Sequence, residues 1–206
     1  MTKAVGRVSS RGDRHLAARR EIIEAAWKLA RERGLAGWAL RDLASAVGMR
    51  APSLYVYFDS KNALYDAMFA DGYAALLTRI DATVADVAAR ELSPAEVLRV
   101  AATLFFDFCV EEPARHQLLF LRTIPGFEPS GPAYALARQT LDGLSDVLRA
   151  AGAGAEEDVD LWTALFTGLA TQQVSNDPGG DRWRRLLDSA MDMFLAAHPS
   201  PPHVQD

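Results

Sequence analysis

Leu40-Arg-Asp-Leu-Ala-Ser-Ala-Val47, then Gly48, then Pro52-Ser-Leu-Tyr-Val-Tyr-Phe58, is the stretch on which the reading of this 206-residue chain turns. Leu40, Leu43, Ala44 and Val47 fall on one face of a first short helix, and Gly48 interrupts it where a tight corner is needed. Proline is favoured in the first turn of a helix, where a missing backbone N–H costs nothing. A second short helix therefore starts around Ala51–Pro52 and runs to Phe58. Two short helices joined by a glycine turn form the geometry that carries one helix into a DNA major groove. Leu43, Ala44, Val47, Leu54 and Phe58 supply the small core of the pair, and the face around Ser53, Tyr55, Val56 and Tyr57 is left exposed. Any small helical hairpin shares this pattern, so its weight comes from what surrounds it.

Upstream, helical spacing begins near Leu16. Ile22, Ile23, Ala26, Trp27 and Ala30 mark one face, Arg19, Arg20, Glu24, Lys28 and Arg31 the other, and Gly34 ends the helix. Residues 1–15 are polar and basic without apolar periodicity, which predicts a flexible arm. Downstream, Ser60 reads as the N-cap of a helix carrying Leu64, Ala67 and Met68. A helix N-terminus beside Lys61 suits a phosphate, and the same pair also reads as an ordinary cap with a solvated lysine. Charge is segregated: residues 1–62 hold 12 basic and 6 acidic side chains, the remainder 10 and 21. A basic lobe on an acidic body confines attraction for nucleic acid to one surface.

The rest of the chain reads as helix: 74–89, a segment opened by Pro94 and closed by Pro113, 113–121, 133–150, 156–174 and 181–198, with a disordered tail at 199–206. No segment combines strand-length alternation with β-branched enrichment, so the fold class is all-α. No run approaches the roughly 18 apolar residues of a membrane span, and no secretory leader pattern is visible. The single cysteine, Cys109, has no intramolecular partner, and the expected address is cytoplasmic.

From Arg19 to Phe69 the chain resembles the N-terminal domain of the tetracycline-repressor (TetR) family of regulators. The resemblance rests on residues 20–34, Leu40-Arg-Asp-Leu-Ala44, Val47-Gly-Met49, Pro52-Ser-Leu-Tyr-Val-Tyr-Phe58 and Ser60-Lys61. It implies a three-helix DNA-binding domain at 16–70 and a helical domain at 71–198 that dimerises and binds an effector. By the same resemblance, Arg50, Ala51, Ser53, Tyr55 and Tyr57 contact bases or nearby phosphates, and Arg41, Tyr57 and Lys61 contact the DNA backbone. The implied activity is a repressor on a palindromic operator, released by a small apolar or aromatic molecule. This chain departs from the family pattern at Ala39 and Arg50, where Ser or Thr is frequent, losing two hydroxyl caps of about 1 kcal/mol each. Arg50 suits either a guanine edge or a phosphate.

In the C-terminal region, Phe105, Phe108, Cys109, His116, Phe120, Trp162 and Phe166 are the candidates to line an effector cavity, although an aromatic at helical spacing is also ordinary core. Trp183, Leu187, Met191 and Phe194 form an apolar stripe suited to a two-fold dimer or to packing within the chain. An enzyme using Cys109 and His116, or a helical adaptor, is the alternative. No third orienting group stands near that pair, the four histidines are scattered, and neither a cofactor nor a metal is expected.

Overall fold

The computed structural model describes residues 11–198, in which every regular element is helical. The N-terminal lobe comprises α1 (Arg11–Arg33), α2 (Leu40–Ala46), α3 (Ala51–Leu54) and the start of α4 (Lys61–Ala89). The C-terminal bundle takes the rest of α4 with α5 (Pro94–Glu111), α6 (Pro113–Phe120), α7 (Gly131–Ala150), α8 (Glu156–Asn176) and α9 (Leu187–Ala196). Residues 1–10 and 199–206, most of the expected arm and all of the expected tail, lie outside the described residues. Residues 11–15 of that arm form the first turns of α1.

Local chemistry sets the element ends. The α2–α3 corner is a Schellman turn: Met49 N–H bonds Ala44 O at 2.8 Å, Gly48 N–H bonds Ser45 O at 3.2 Å, and Gly48 takes φ +67°. Ala39 and Ala155 carry no capping hydroxyl, but the carboxylates of Asp42 and Asp158 reach back to their N–H groups, each at 2.8 Å. Half of a capping box survives at each helix. Ser60 caps α4 as expected, accepting the Ala63 N–H at 3.0 Å. The α3 helix is shorter than predicted, with Tyr57 N–Leu54 O at 2.9 Å and Phe58 N–Leu54 O at 3.0 Å continuing its winding to Phe58.

Two clusters of buried side chains divide the molecule. The first joins α1, α2 and α3 through Ile22, Leu43, Leu54 and Phe58 to Leu64 and Met68 of α4, and continues into Leu118 and Leu119 of α6. Three polar ties reinforce it. Trp27 donates to Asp71 at 2.8 Å, Tyr65 donates to Leu35 O at 2.6 Å, and Arg31 pairs with Glu112 at 2.7 Å. The second cluster packs α5 against α8 and α9 through Leu98, Phe106, Trp162, Phe166, Met191 and Phe194.

That second cluster corrects two expectations. The final helix starts at Leu187, preceded by a 3₁₀ turn over Arg184–Leu186, and not at Asp181. The Gln173 side-chain carbonyl takes the N–H groups of Trp183 and Arg184, and the Asp177 carboxylate takes that of Arg182, so the helical ladder is delayed. Of the stripe predicted to dimerise, Leu187, Met191 and Phe194 are buried within the chain and Trp183 is half-buried. Helical spacing does not distinguish an intramolecular partner from a second copy.

The α4–α6 approach depends on Gly72, where an added Cβ would lie 2.8 and 3.1 Å from the Leu119 methyls. Gly72→Val is expected to lower unfolding stability by about 1–3 kcal/mol, the range for overpacking a core, as measured by urea denaturation.

His116 supplies a pH-dependent contribution. Thr171 donates its hydroxyl to Thr167 O at 2.7 Å, so its oxygen is left to accept from His116 Nε2–H at 3.0 Å. Nδ1 is then a buried, bare lone pair, and burial lowers the ring's pKa from 6.5 to about 4. Between those values the unfolded chain binds a proton that the folded chain does not, so stability falls as pH drops through that window. The expected loss is roughly 3 kcal/mol by pH 4. His116→Leu should flatten that segment of the stability–pH curve.

Candidate DNA interface and ligand cavity

The residues that the sequence assigned to DNA separate into three groups. Arg41, Arg50, Ser53 and Tyr55 are exposed, the Arg41 side chain at 84% and Tyr55 at 53%. Ala51 and Tyr57 are half-buried. Tyr57 stacks nearly parallel on His15 with ring centres 4.8 Å apart, and its carbonyl accepts from Arg19, whose guanidinium lies 4.2 Å over Phe58. The start of α1, with exposed Arg11 and Arg14, is thereby held beside the recognition turn. Sequence reading could not see this, because residues 15 and 57 meet only through the tertiary fold.

Lys61 sits differently from its expected place at a phosphate. Its ammonium donates to Trp38 O and lies 4.4 and 5.3 Å from the Trp38 and Tyr65 ring centres. Burial lowers its pKa, and Asp42 opposes the shift. Lys61 clasps the α1–α2 connection onto α4.

In the bundle, α4, α5, α6, α7 and α8, with the α6–α7 connection, line a partly open cavity of about 950 Å³. Its lining on α4 runs from Phe69 through Tyr73, Leu76, Ile80 and Val84 to Val87, about 27 Å at 1.5 Å per residue. The lining is mainly apolar. Thr83, Thr140 and Thr163 donate their hydroxyls to carbonyls of their own helices at 2.9, 3.0 and 2.9 Å, leaving little unmatched polarity on the walls. Burial, then nearby Tyr134, pushes the Tyr73 hydroxyl above its ordinary pKa and keeps it neutral. The charged lining residues are Arg122, Glu128 and Asp160, of which Arg122 and Glu128 face each other at 3.8 Å.

Of the seven predicted pocket residues, Phe105, Phe120 and Trp162 line this cavity. Phe108 is buried in the first core, with the Arg115 guanidinium 3.6 Å from its ring centre. Cys109 and Phe166 belong to the second core, and burial raises the Cys109 thiol well above its ordinary pKa. His116 is buried against α8 at Thr171. The stripe missed was α4 itself. Its three- and four-residue spacing was visible, but a cavity wall and a packed core have the same spacing.

The cavity and the DNA-binding lobe share a wall. Within the α6–α7 connection, Phe127 lines the cavity and meets Tyr65 edge-on at 5.8 Å, and Ser130 is pinned to Asp66 of α4 by two hydrogen bonds of 2.6 and 2.9 Å. Tyr65 in turn bonds Leu35 O beside the helix-turn-helix.

Comparison with known proteins agrees with this arrangement. Residues 22–68 match the family model described as bacterial regulatory proteins, tetR family. The chain is 26% identical over 187 residues to the HTH-type transcriptional regulator Rv1816 of Mycobacterium tuberculosis, covering 85% of this chain and 76% of that protein. Among solved structures, a TetR/AcrR-family regulator from Thermobifida fusca superposes with TM-score 0.60 at 22% identity, covering 92% of this chain and all of that one. FadR from Bacillus subtilis, in complex with stearoyl-CoA, superposes with TM-score 0.70 at 17% identity, covering 86% and 97%. No described helix is long and apolar enough to cross a membrane. Residues 22–68, which hold the helix-turn-helix built from α2 and α3, thus form a DNA-binding domain of the tetR-family kind, joined to an all-helical C-terminal bundle.

Proposed function

We propose that the protein is a dimeric repressor that binds a palindromic operator and lets go when an elongated, mainly apolar small molecule fills the cavity along α4. The observation that carries this reading is α4: one helix contributes Leu64 and Met68 to the helix-turn-helix core and Phe69 to Val87 to the cavity wall. A ligand that reshapes the wall must act against the element on which the DNA-binding lobe is built. Phe127, Tyr65 and the Asp66–Ser130 bonds offer a second connection between the same two places.

The effector class follows from shape and polarity. A volume of about 950 Å³ is at the upper end for ligand pockets, and a chamber that follows five turns of helix suits a long chain better than a compact ring system. The stearoyl-CoA bound to FadR, a protein of similar fold, supports a long acyl chain. Minocycline, bound by a TetR variant from Acinetobacter baumannii that superposes at TM-score 0.56, represents the compact alternative.

A second copy is the natural cover for the outer faces of α8 and α9. Leu161 is 51% and Met193 74% exposed, Leu186 is exposed, and Gly168 opens onto empty space. Two such pairs form a four-helix interface about a two-fold axis, which also provides the paired recognition helices that a palindrome requires.

Three measurements test this reading. Against a duplex selected from a random library, Tyr55→Ala should weaken binding with the melting temperature retained, whereas Lys61→Ala should lower the melting temperature as well. Palmitoyl- or stearoyl-CoA should raise the melting temperature and release the duplex, and a rise with minocycline alone would redirect the effector class. In sedimentation, Leu161→Glu with Met193→Glu should convert a dimer to a folded monomer and weaken operator binding at least tenfold.

A further inference from the structure

The recognition helix lacks the side chains that usually read bases. From Ala51 to Phe58 it contains no Arg, Lys, Asn, Gln, Asp or Glu, and Arg50 stands just before its first residue. No position within it can make the bidentate contacts that identify guanine or adenine. What it presents outward is Pro52, Ser53, Tyr55 and Val56. Val56 is 72% exposed, the most exposed large apolar side chain described in the N-terminal lobe. Its place is geometric. Leu54 and Phe58 point into the core, at 0% and 2% exposure, and the hydrogen bonds through Phe58 keep the winding helical. At roughly 100° per residue, Val56 lies diametrically opposite the midpoint of that pair, on the crest of the helix that faces the groove.

We propose that Val56 is a specificity-determining residue that reads a thymine 5-methyl group in the major groove. This rests on the DNA-binding reading above. An apolar side chain distinguishes one feature of a base edge in that groove, the methyl group that thymine has and cytosine lacks. An isopropyl group at the crest removes that methyl from water while burying its own exposed surface. It also excludes the hydrated edge of a C·G pair at the same position. Tyr55 and Ser53 flank Val56 with hydroxyls that suit a phosphate or a base edge but do not discriminate sharply. The sequence preference of the helix itself then comes from the valine, with Arg50 acting at the helix entry.

Replacing thymine by deoxyuridine deletes only the methyl group and tests this directly. Duplexes enriched by the full-length protein from a random library are resynthesised with deoxyuridine at each thymine of a half-site, and binding is read by fluorescence anisotropy. Wild-type protein should lose roughly fourfold in affinity at one thymine per half-site, corresponding to about 0.8 kcal/mol for a buried methyl-sized group. Val56→Ser, at an exposed position, should keep the wild-type melting temperature, bind the thymine duplex several-fold more weakly and be indifferent to deoxyuridine. The assignment is overturned if no thymine is methyl-sensitive, or if Val56→Ser keeps the wild-type sensitivity. Failure to enrich any sequence would overturn the DNA-binding reading itself, a separate result.

Discussion

An unbroken hydrogen-bond ladder through 29 residues of α4 is the constraint on which the rest of the structure depends. A helix of that length is about 43 Å long. Its first turns are gripped on several sides: Leu64 and Met68 lie in the N-terminal core, Tyr65 bonds Leu35, and Asp71 bonds Trp27. Past Gly72, which lets α6 close on it, the same helix becomes one side of the cavity. A kink or break at the lobe boundary would have separated the two halves mechanically. The chain has no proline between Lys61 and Ala89, and its one glycine in that stretch serves a close approach.

The two ends of this helix are stabilised differently. Around the helix-turn-helix, side chains interlock, and Lys61, Arg19 and Tyr65 each bond a backbone carbonyl. Around the cavity, much apolar surface faces empty space, so neither dispersion contacts nor full withdrawal from water is complete there. In the proposed function, a ligand that fits the walls biases the DNA-binding lobe by its preference for one arrangement over the one that holds DNA. The α6–α7 connection, anchored to α4 at Asp66 and facing the cavity at Phe127, is well placed to differ between the two.

The parts legible in the sequence are those whose signals are local. The glycine corner, the Ser60 cap, the proline helix starts and the helical spacing all depend on residues within a few positions of one another, and the structure contains them. The missed features depend on long-range partners. Nothing near Asp181 announces that Gln173 will take the N–H groups of Trp183 and Arg184 and postpone the last helix. Met191 and Phe194 carry the spacing of an interface, yet α5 and α8 cover them. Lys61 has the charge expected of a phosphate ligand, but the indole of Trp38, 23 residues away in the chain, claims it. Phe108 and Phe105 differ by less than one turn and lie in different places, one in core and one on the cavity wall.

The recognition turn is anchored by Leu54, Phe58 and Tyr57, while Ser53, Tyr55 and Val56 are left exposed. Substitutions at such positions typically change stability by less than about 0.5 kcal/mol. The cavity walls have no such freedom, because Phe69, Tyr73 and Leu119 are also core residues. A lineage descended from this protein is therefore free to drift among target sequences through neutral intermediates. In the proposed function, a change of inducer would pass through variants that are less well folded. The two halves of a genetic switch would then evolve at different rates, the address quickly and the signal slowly.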